Sequence, residues 1–88
     1  MEITYDPAKD AANFEKHGVS LALASEMEWD DALIKIDDRH DYGEQREVAI
    51  AFIGSSLHVA VYVIRDNARR IISLRKANRR EFQLYAEN

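Results

Sequence analysis

Leu57, Val59, Val61 and Val63 alternate with His58, Ala60, Tyr62 and Ile64, an eight-residue run of period two. Side chains at that period point to opposite faces of an extended chain, so the run predicts a β-strand. Gly54-Ser55-Ser56 stands before it as a tight-turn signal and joins it to a second apolar run, Val48 to Ile53. Asp66-Asn67 stands after it as the next turn and leads to Arg70 to Arg75. Strands that follow one another through turns this short can pair only antiparallel, because a parallel pair needs a long crossover. The centre of the chain is therefore a meander. On it the alternation puts Ile71, Ser73 and Arg75 on one face of the last strand, and Arg70, Ile72 and Leu74 on the other.

Around the meander the chain predicts helices and two further strands. Glu2 to Tyr5 reads as a short strand with Ile3 and Tyr5 on one face. Asp6-Pro7 then opens a helix, Asp as the N-cap and Pro at the first helical position. Ala8, Ala11, Ala12 and Phe14 give that helix an apolar side, and Gly18 ends it. Ser20 caps a second helix through Leu21, Leu23, Ala24 and Met27. Ala32 to Ile36 reads as a strand, and the acidic, Gly43-containing stretch from Asp37 to Glu44 as a loop. A last helix starts near Asn78, where Asn78 and Glu81 fit a capping box, with Phe82 and Tyr85 on its apolar side. The expected fold is one α+β domain over residues 1–88, an antiparallel meander packed with helices in the order β-α-α-β-β-β-β-α.

Charge sharpens the reading. The net charge of -4 argues against nucleic acid if taken as a sum. Its distribution does not. Glu26 to Glu47 holds nine acidic and three basic residues, whereas Arg65 to Arg80 holds seven basic residues against Asp66. A basic block of that kind suits phosphate, RNA or an acidic partner, and it equally suits a solvated strand and helix. There is no cysteine, hence no disulfide frame and no thiolate metal site. No apolar run reaches membrane-spanning length. The start Met-Glu-Ile-Thr-Tyr-Asp lacks the features of a secretory signal, which predicts a cytoplasmic protein.

Several chemistries are poorly served. His17, His40 and His58 have no helical metal-ligand spacing, and Arg39 stands where a calcium loop needs a ligand. Three glycines cannot build a phosphate cradle, and Ser55-Ser56 reads as a turn rather than a nucleophile elbow. No metal and no cofactor is expected. What remains is arginine on strands: Arg46, Arg65 and Arg75-Lys76. Arginine on a sheet points to solvent, to an acid or to an anion. Phosphoryl transfer needs such cations, together with a His, Glu or Lys to move a proton. RNA brings its own nucleophile, the 2′-hydroxyl. The competing account pairs these arginines with the acidic loop. Lys16-His17-Gly18 is likewise explained by helix-end physics alone, cations at the negative end and glycine past it.

One resemblance joins these pieces. Asp6, Lys9, Asn13, Lys16-His17-Gly18-Val19-Ser20, Ala24, Glu44, Arg46, Gly54, Arg65, Arg70-Ile71-Ile72-Ser73-x-Arg75-Lys76-Ala77, Glu81 and Tyr85 together form a pattern that resembles the BrnT family, toxins of bacterial type II toxin–antitoxin systems. It covers nearly the whole chain, with Thr4-Tyr5, Leu21 and Leu74 as departures. The resemblance implies a RelE-like fold and a metal-independent ribonuclease that inhibits translation. It implies a BrnA-type ribbon-helix-helix antitoxin as partner in a hetero-oligomer, RNA as substrate, and operator DNA reached only through that antitoxin. By position it implies Lys16, His17, Glu44, Arg46, Arg65 and Arg75 as catalytic residues. His17 or Glu44 would move protons, and Arg46, Arg65 and Arg75 would hold phosphate. Lys76, Arg70 and Arg79 would bind RNA. A second reading, motivated by the acidic balance, is a module with little or no catalysis that only pairs with its DNA-binding partner.

Overall fold

A computed structural model describes residues 1–38 and 43–88. Arg39, His40, Asp41 and Tyr42, the middle of the expected acidic loop, lie outside the described residues. The elements run β1 (Glu2–Tyr5), α1 (Pro7–His17), a 3₁₀ helix (Leu21–Glu26), a one-turn 3₁₀ helix (Trp29–Asp31), β2 (Leu33–Asp37), β3 (Arg46–Ile53), β4 (Ser56–Arg65), β5 (Ala68–Lys76) and α2 (Arg79–Ala86). They form one five-stranded sheet of order β1-β5-β4-β3-β2.

The meander is present from β2 to β5, every pair antiparallel. β1 departs from it. It adds to the outside of β5 in parallel, with Glu2 opposite Ala68 and Tyr5 opposite Ile71. No short-range signal reports that pairing, because it joins the two ends of the chain. Asp66 and Asn67 at the β4–β5 turn both have positive φ, 53° and 61°. That is the mirror-image two-residue turn whose twist suits a hairpin, and Asn and Asp tolerate it best among residues with a Cβ.

Both faces of the sheet are covered. On one, Ala49, Ala51, Ala60, Tyr62, Ile71 and Leu74 pack against Val19, Leu21, Ala24 and Met27. The three alanines leave room for the 3₁₀ segment to lie close to the strands. On the other, Ile50, Leu57 and Val59 pack with Leu33, Val48, Phe52, Ala77 and Tyr85. The Tyr85 ring meets Phe52 edge-on at 5.6 Å, which docks α2.

Three expectations are corrected. The second helix is 3₁₀ rather than α, because its buried residues Leu21, Ala24 and Met27 recur every third position. That spacing stacks side chains at about three residues per turn. Next, α1 has no apolar inner side. Its one buried residue is Asn13, and Phe14 is 59% exposed. Finally, the simple alternation on β5 fails. Val61 faces Ser73 but Tyr62 faces Ile71, so Ile72 is an extra residue, a β-bulge. The bulge turns Ile71 and Leu74 into the same core.

Candidate functional site

Lys9, Ala12, Asn13, Lys16 and His17 fall at i, i+3, i+4, i+7 and i+8, one stripe of α1. The stripe faces the bulge. Between them lies an open groove of about 280 Å³, lined by those five residues together with Ile72 and Ser73. Lys-His-Gly and Arg-Ile-Ile-Ser, far apart in the chain, therefore meet across this groove. α1 stops there for local reasons. Gly18 takes φ 71°, and its N–H donates to the Phe14 carbonyl at 2.7 Å. Lys16 and His17 sit in the last turn, where the helix dipole favours cations. Asp10 ties the helix to the next segment. Its Oδ1 accepts from the Ser20 hydroxyl at 3.0 Å and from the Leu21 N–H at 2.8 Å.

Beneath the groove Asn13 joins the two motifs. Its Nδ2 donates to the carbonyls of Val19 and Leu74, both at 2.8 Å. Its Oδ1 accepts from the Leu74 N–H at 3.1 Å. β1 last pairs with β5 at Tyr5–Ile71, so the side-chain amide serves the strand edge that β1 leaves bare.

The arginines divide into separate places. Arg75 stands on the row Ile50–Val59–Arg75, and Ser73 on the neighbouring row Val48–Val61–Ser73, so both share the face that carries α2. Two guanidinium nitrogens of Arg75 donate to the two carboxylate oxygens of Glu81, at 2.8 and 2.6 Å, and Nη1 also reaches the Lys76 carbonyl at 3.2 Å. These bonds hold the Glu81 carboxyl below its ordinary range despite partial burial, and the Asn78 N–H helps. Glu81 also completes the expected capping box with Asn78.

Arg46 opens β3, half-buried and directly opposite the buried Asp37. Continuing the β3–β4 register by one residue sets Arg46 beside Val63, whose partner on β5 is Arg70. Arg65 ends β4 opposite Ala68, six positions along β4 from the partner of Arg75. At about 3.3 Å per residue they are some 20 Å apart and do not share a phosphate. Arg65 donates to the Glu44 carboxylate at 2.7 Å in an exposed pair, so Glu44 belongs to this end of the sheet and does not line the α1 groove. Another groove of about 260 Å³ lies here, lined by Glu2, Thr4, Arg65, Asp66, Ala68 and Arg70. Lys76 and Arg79 are exposed at the end of β5 and the start of α2.

Residue-by-residue reading passed over several side chains at or near these places. Lys9 and Ser73 line the α1 groove and had no assigned role. The i, i+7 spacing of Lys9 and Lys16 was the signal for the first. On the opposite face of the sheet, the Arg69 guanidinium lies 4.0 Å over the Trp29 ring. The Tyr62 ring meets Trp29 edge-on at 5.2 Å, and its hydroxyl donates to Glu47 at 2.9 Å. Burial, with the Glu47 carboxylate alongside, pushes the Tyr62 hydroxyl up to about 12. A phenol held that high does not act as a base near neutral pH.

Residues 5–81 match the family model described as the ribonuclease toxin BrnT of type II toxin–antitoxin systems. No curated protein matches the chain. The crystal structure of the Brucella abortus ribonuclease toxin BrnT aligns with a TM-score of 0.66 at 24% identity, covering 90% of this chain and 99% of that one. At that identity the likeness is one of fold, an α+β arrangement of sheet and helices. No helix among the described residues is long and apolar enough to cross a membrane. With the family model spanning all but the two ends of the chain, the protein belongs to the BrnT family of ribonuclease toxins of type II toxin–antitoxin systems.

Proposed function

We propose that the chain cleaves RNA without a metal, in the groove between α1 and the β5 bulge, on a RelE-like fold. The observation that carries this reading is the convergence of Lys9, Lys16 and His17 on Ser73 across one open groove. The ammonium groups neutralise a phosphodiester, and an imidazole is the side chain that most often moves a proton in such a step. The 2′-hydroxyl attacks the adjacent phosphorus while neutral His17 takes its proton. The bond to the 5′-oxygen breaks, and that oxygen leaves with a proton from Lys16 or water. The products are a 2′,3′-cyclic phosphate and a 5′-hydroxyl end.

Proton transfer is assigned to His17 rather than Glu44, whose carboxylate accepts from Arg65 away from the groove. Arg75 holds the phosphate from the neighbouring row once it exchanges one oxygen of Glu81 for one of the substrate. Arg46, Arg65, Arg70, Lys76 and Arg79 guide the flanking strand by charge. Cleavage halts translation. A BrnA-type ribbon-helix-helix antitoxin silences the toxin, and the complex represses its own operon.

The test is incubation of folded protein, freed of antitoxin, with RNA in the presence and absence of EDTA. Equal cleavage in both, with cyclic-phosphate ends, is expected. EDTA-sensitive cleavage overturns metal independence, and no cleavage in either overturns the whole reading. One observation favours the second reading, a partner-binding module with little catalysis: Arg65 and Arg75 are both engaged by carboxylates of the chain itself. That reading requires that expression without antitoxin leaves growth unchanged.

A further inference from the structure

We propose that Asn13 is a positioning residue of this site. It touches no substrate, yet it fixes the distance between the two halves of the groove. The inference rests on the α1–β5 groove being the place of cleavage.

Asn13 is 6% exposed and is the only buried residue of α1. Its amide uses both N–H donors, on Val19 and Leu74, and its oxygen on the Leu74 N–H. The Leu74 backbone settles the orientation of that amide, since its N–H can only donate and its carbonyl can only accept. Each anchor lies close in sequence to candidate functional residues. Val19 follows Lys16-His17-Gly18, and Leu74 stands between Ser73 and Arg75. Lys16 and His17 stand three and four residues along α1 from Asn13, hence on the same side of the helix.

Asp10 ties α1 to Ser20 and Leu21, but among the described residues Asn13 is the side chain of α1 that bonds to β5. α1 offers no apolar side to the sheet; Ala12 lines the groove but is exposed, and Ala8, Ala11 and Phe14 are exposed too. β1 stops pairing with β5 at Ile71, and the bulge at Ile72 loosens the strand just where the groove lies. A buried side-chain amide restores the pairing at Leu74, three residues beyond, where a strand partner would otherwise be required. Alanine there leaves the Leu74 N–H and carbonyl unpaired in the interior and frees the Lys-His-Gly corner from β5. An apolar residue could fill the same space but could not hold the register of helix and strand.

The experiment compares wild type, Asn13→Ala and Ile53→Ala, the last a destabilised reference on β3 away from the groove. All are measured at a temperature where circular dichroism shows each to be folded. Cleavage of a short RNA gives kcat and KM, and two-dimensional NMR follows the His17 ring and the Ser73 amide. For Asn13→Ala the expected result is a kcat at least tenfold lower with KM changed less than threefold. The His17 and Ser73 signals shift or broaden as well. Ile53→Ala leaves both signals in place and loses less than threefold in kcat. An Asn13→Ala protein whose kcat loss is no greater than that of Ile53→Ala, or whose His17 and Ser73 signals stay unmoved, overturns the proposal. Should wild type fail to cleave RNA, the functional reading falls, while the NMR comparison still decides whether Asn13 sets the groove.

Discussion

Tyr62 offers a test in which the magnitude follows from the structure. Its side chain is fully buried, with the hydroxyl donating to Glu47. Ionising it would place a second negative charge beside that carboxylate in the interior, and its pKa accordingly rises from 10.0 to about 12. The unfolded chain releases this proton near the ordinary value, whereas the native state keeps it until about 12. Between those values the native state binds more protons, so stability must fall as pH rises. Two units at about 1.4 kcal/mol each give about 3 kcal/mol, all present below pH 10 and lost by about pH 12. Other tyrosines and lysines titrate in the same window, so the measurement is a difference. Urea unfolding of wild type and of Tyr62→Phe is followed at a series of alkaline pH values. The stability gap between them is flat below pH 9 and shrinks by about 1.4 kcal/mol per unit above pH 10. A difference ultraviolet titration shows one tyrosinate forming late in wild type and absent in the variant. Parallel stability curves would refute the buried Tyr62–Glu47 bond, and with it the reason for keeping Tyr62 out of the chemistry.

Two further outcomes follow from the same structure. Glu81→Gln removes the charged pair with Arg75, which is partly exposed, and should cost about 1 kcal/mol near neutral pH in denaturant titration. Because the Glu81 carboxyl is held low in the native state, its contribution is present above its ordinary value of 4.5 and disappears as pH falls through the lower native one, so the gap to wild type closes in acid. Gly18→Ala meets no atom within 4 Å of the new Cβ, but it forces alanine to φ 71°. Calorimetry should therefore show a loss of about 1 to 2 kcal/mol, seen as a drop of several degrees in Tm.

Much of this fold was legible because its signals are local. The alternation from Leu57 to Ile64, the Asp66-Asn67 turn, the Asp6-Pro7 start and the Asn78–Glu81 capping box each involve neighbours in sequence, and each appears. What escaped is non-local or depends on a small change of period. β1 pairs with a strand more than sixty residues away, which nothing near Glu2 reports. The bulge at Ile72 costs one residue of register and puts Ile71 on the face of Leu74 rather than on that of Ser73 and Arg75. The 3₁₀ segment was visible in the spacing of Leu21, Ala24 and Met27, had period three been weighed against period 3.6. For the site, the residue types were legible but not their grouping. Lys16 and His17 meet Ser73, while Arg65 with Glu44 lies at another end of the sheet and Arg75 is bound to Glu81. Asn13 stood in the family pattern without a role, because its partners are backbone atoms and no sequence pattern displays those.

The most direct measurement of the central claim is RNA cleavage by folded His17→Ala beside wild type, at equal concentration and free of antitoxin. His17 lines the groove from the last turn of α1, where it supports no core packing, so the variant should melt close to wild type. If the α1–β5 groove is where the proton moves, kcat falls by about a hundredfold or more. A folded His17→Ala protein that cleaves RNA at the wild-type rate contradicts the account and moves the chemistry elsewhere on the molecule.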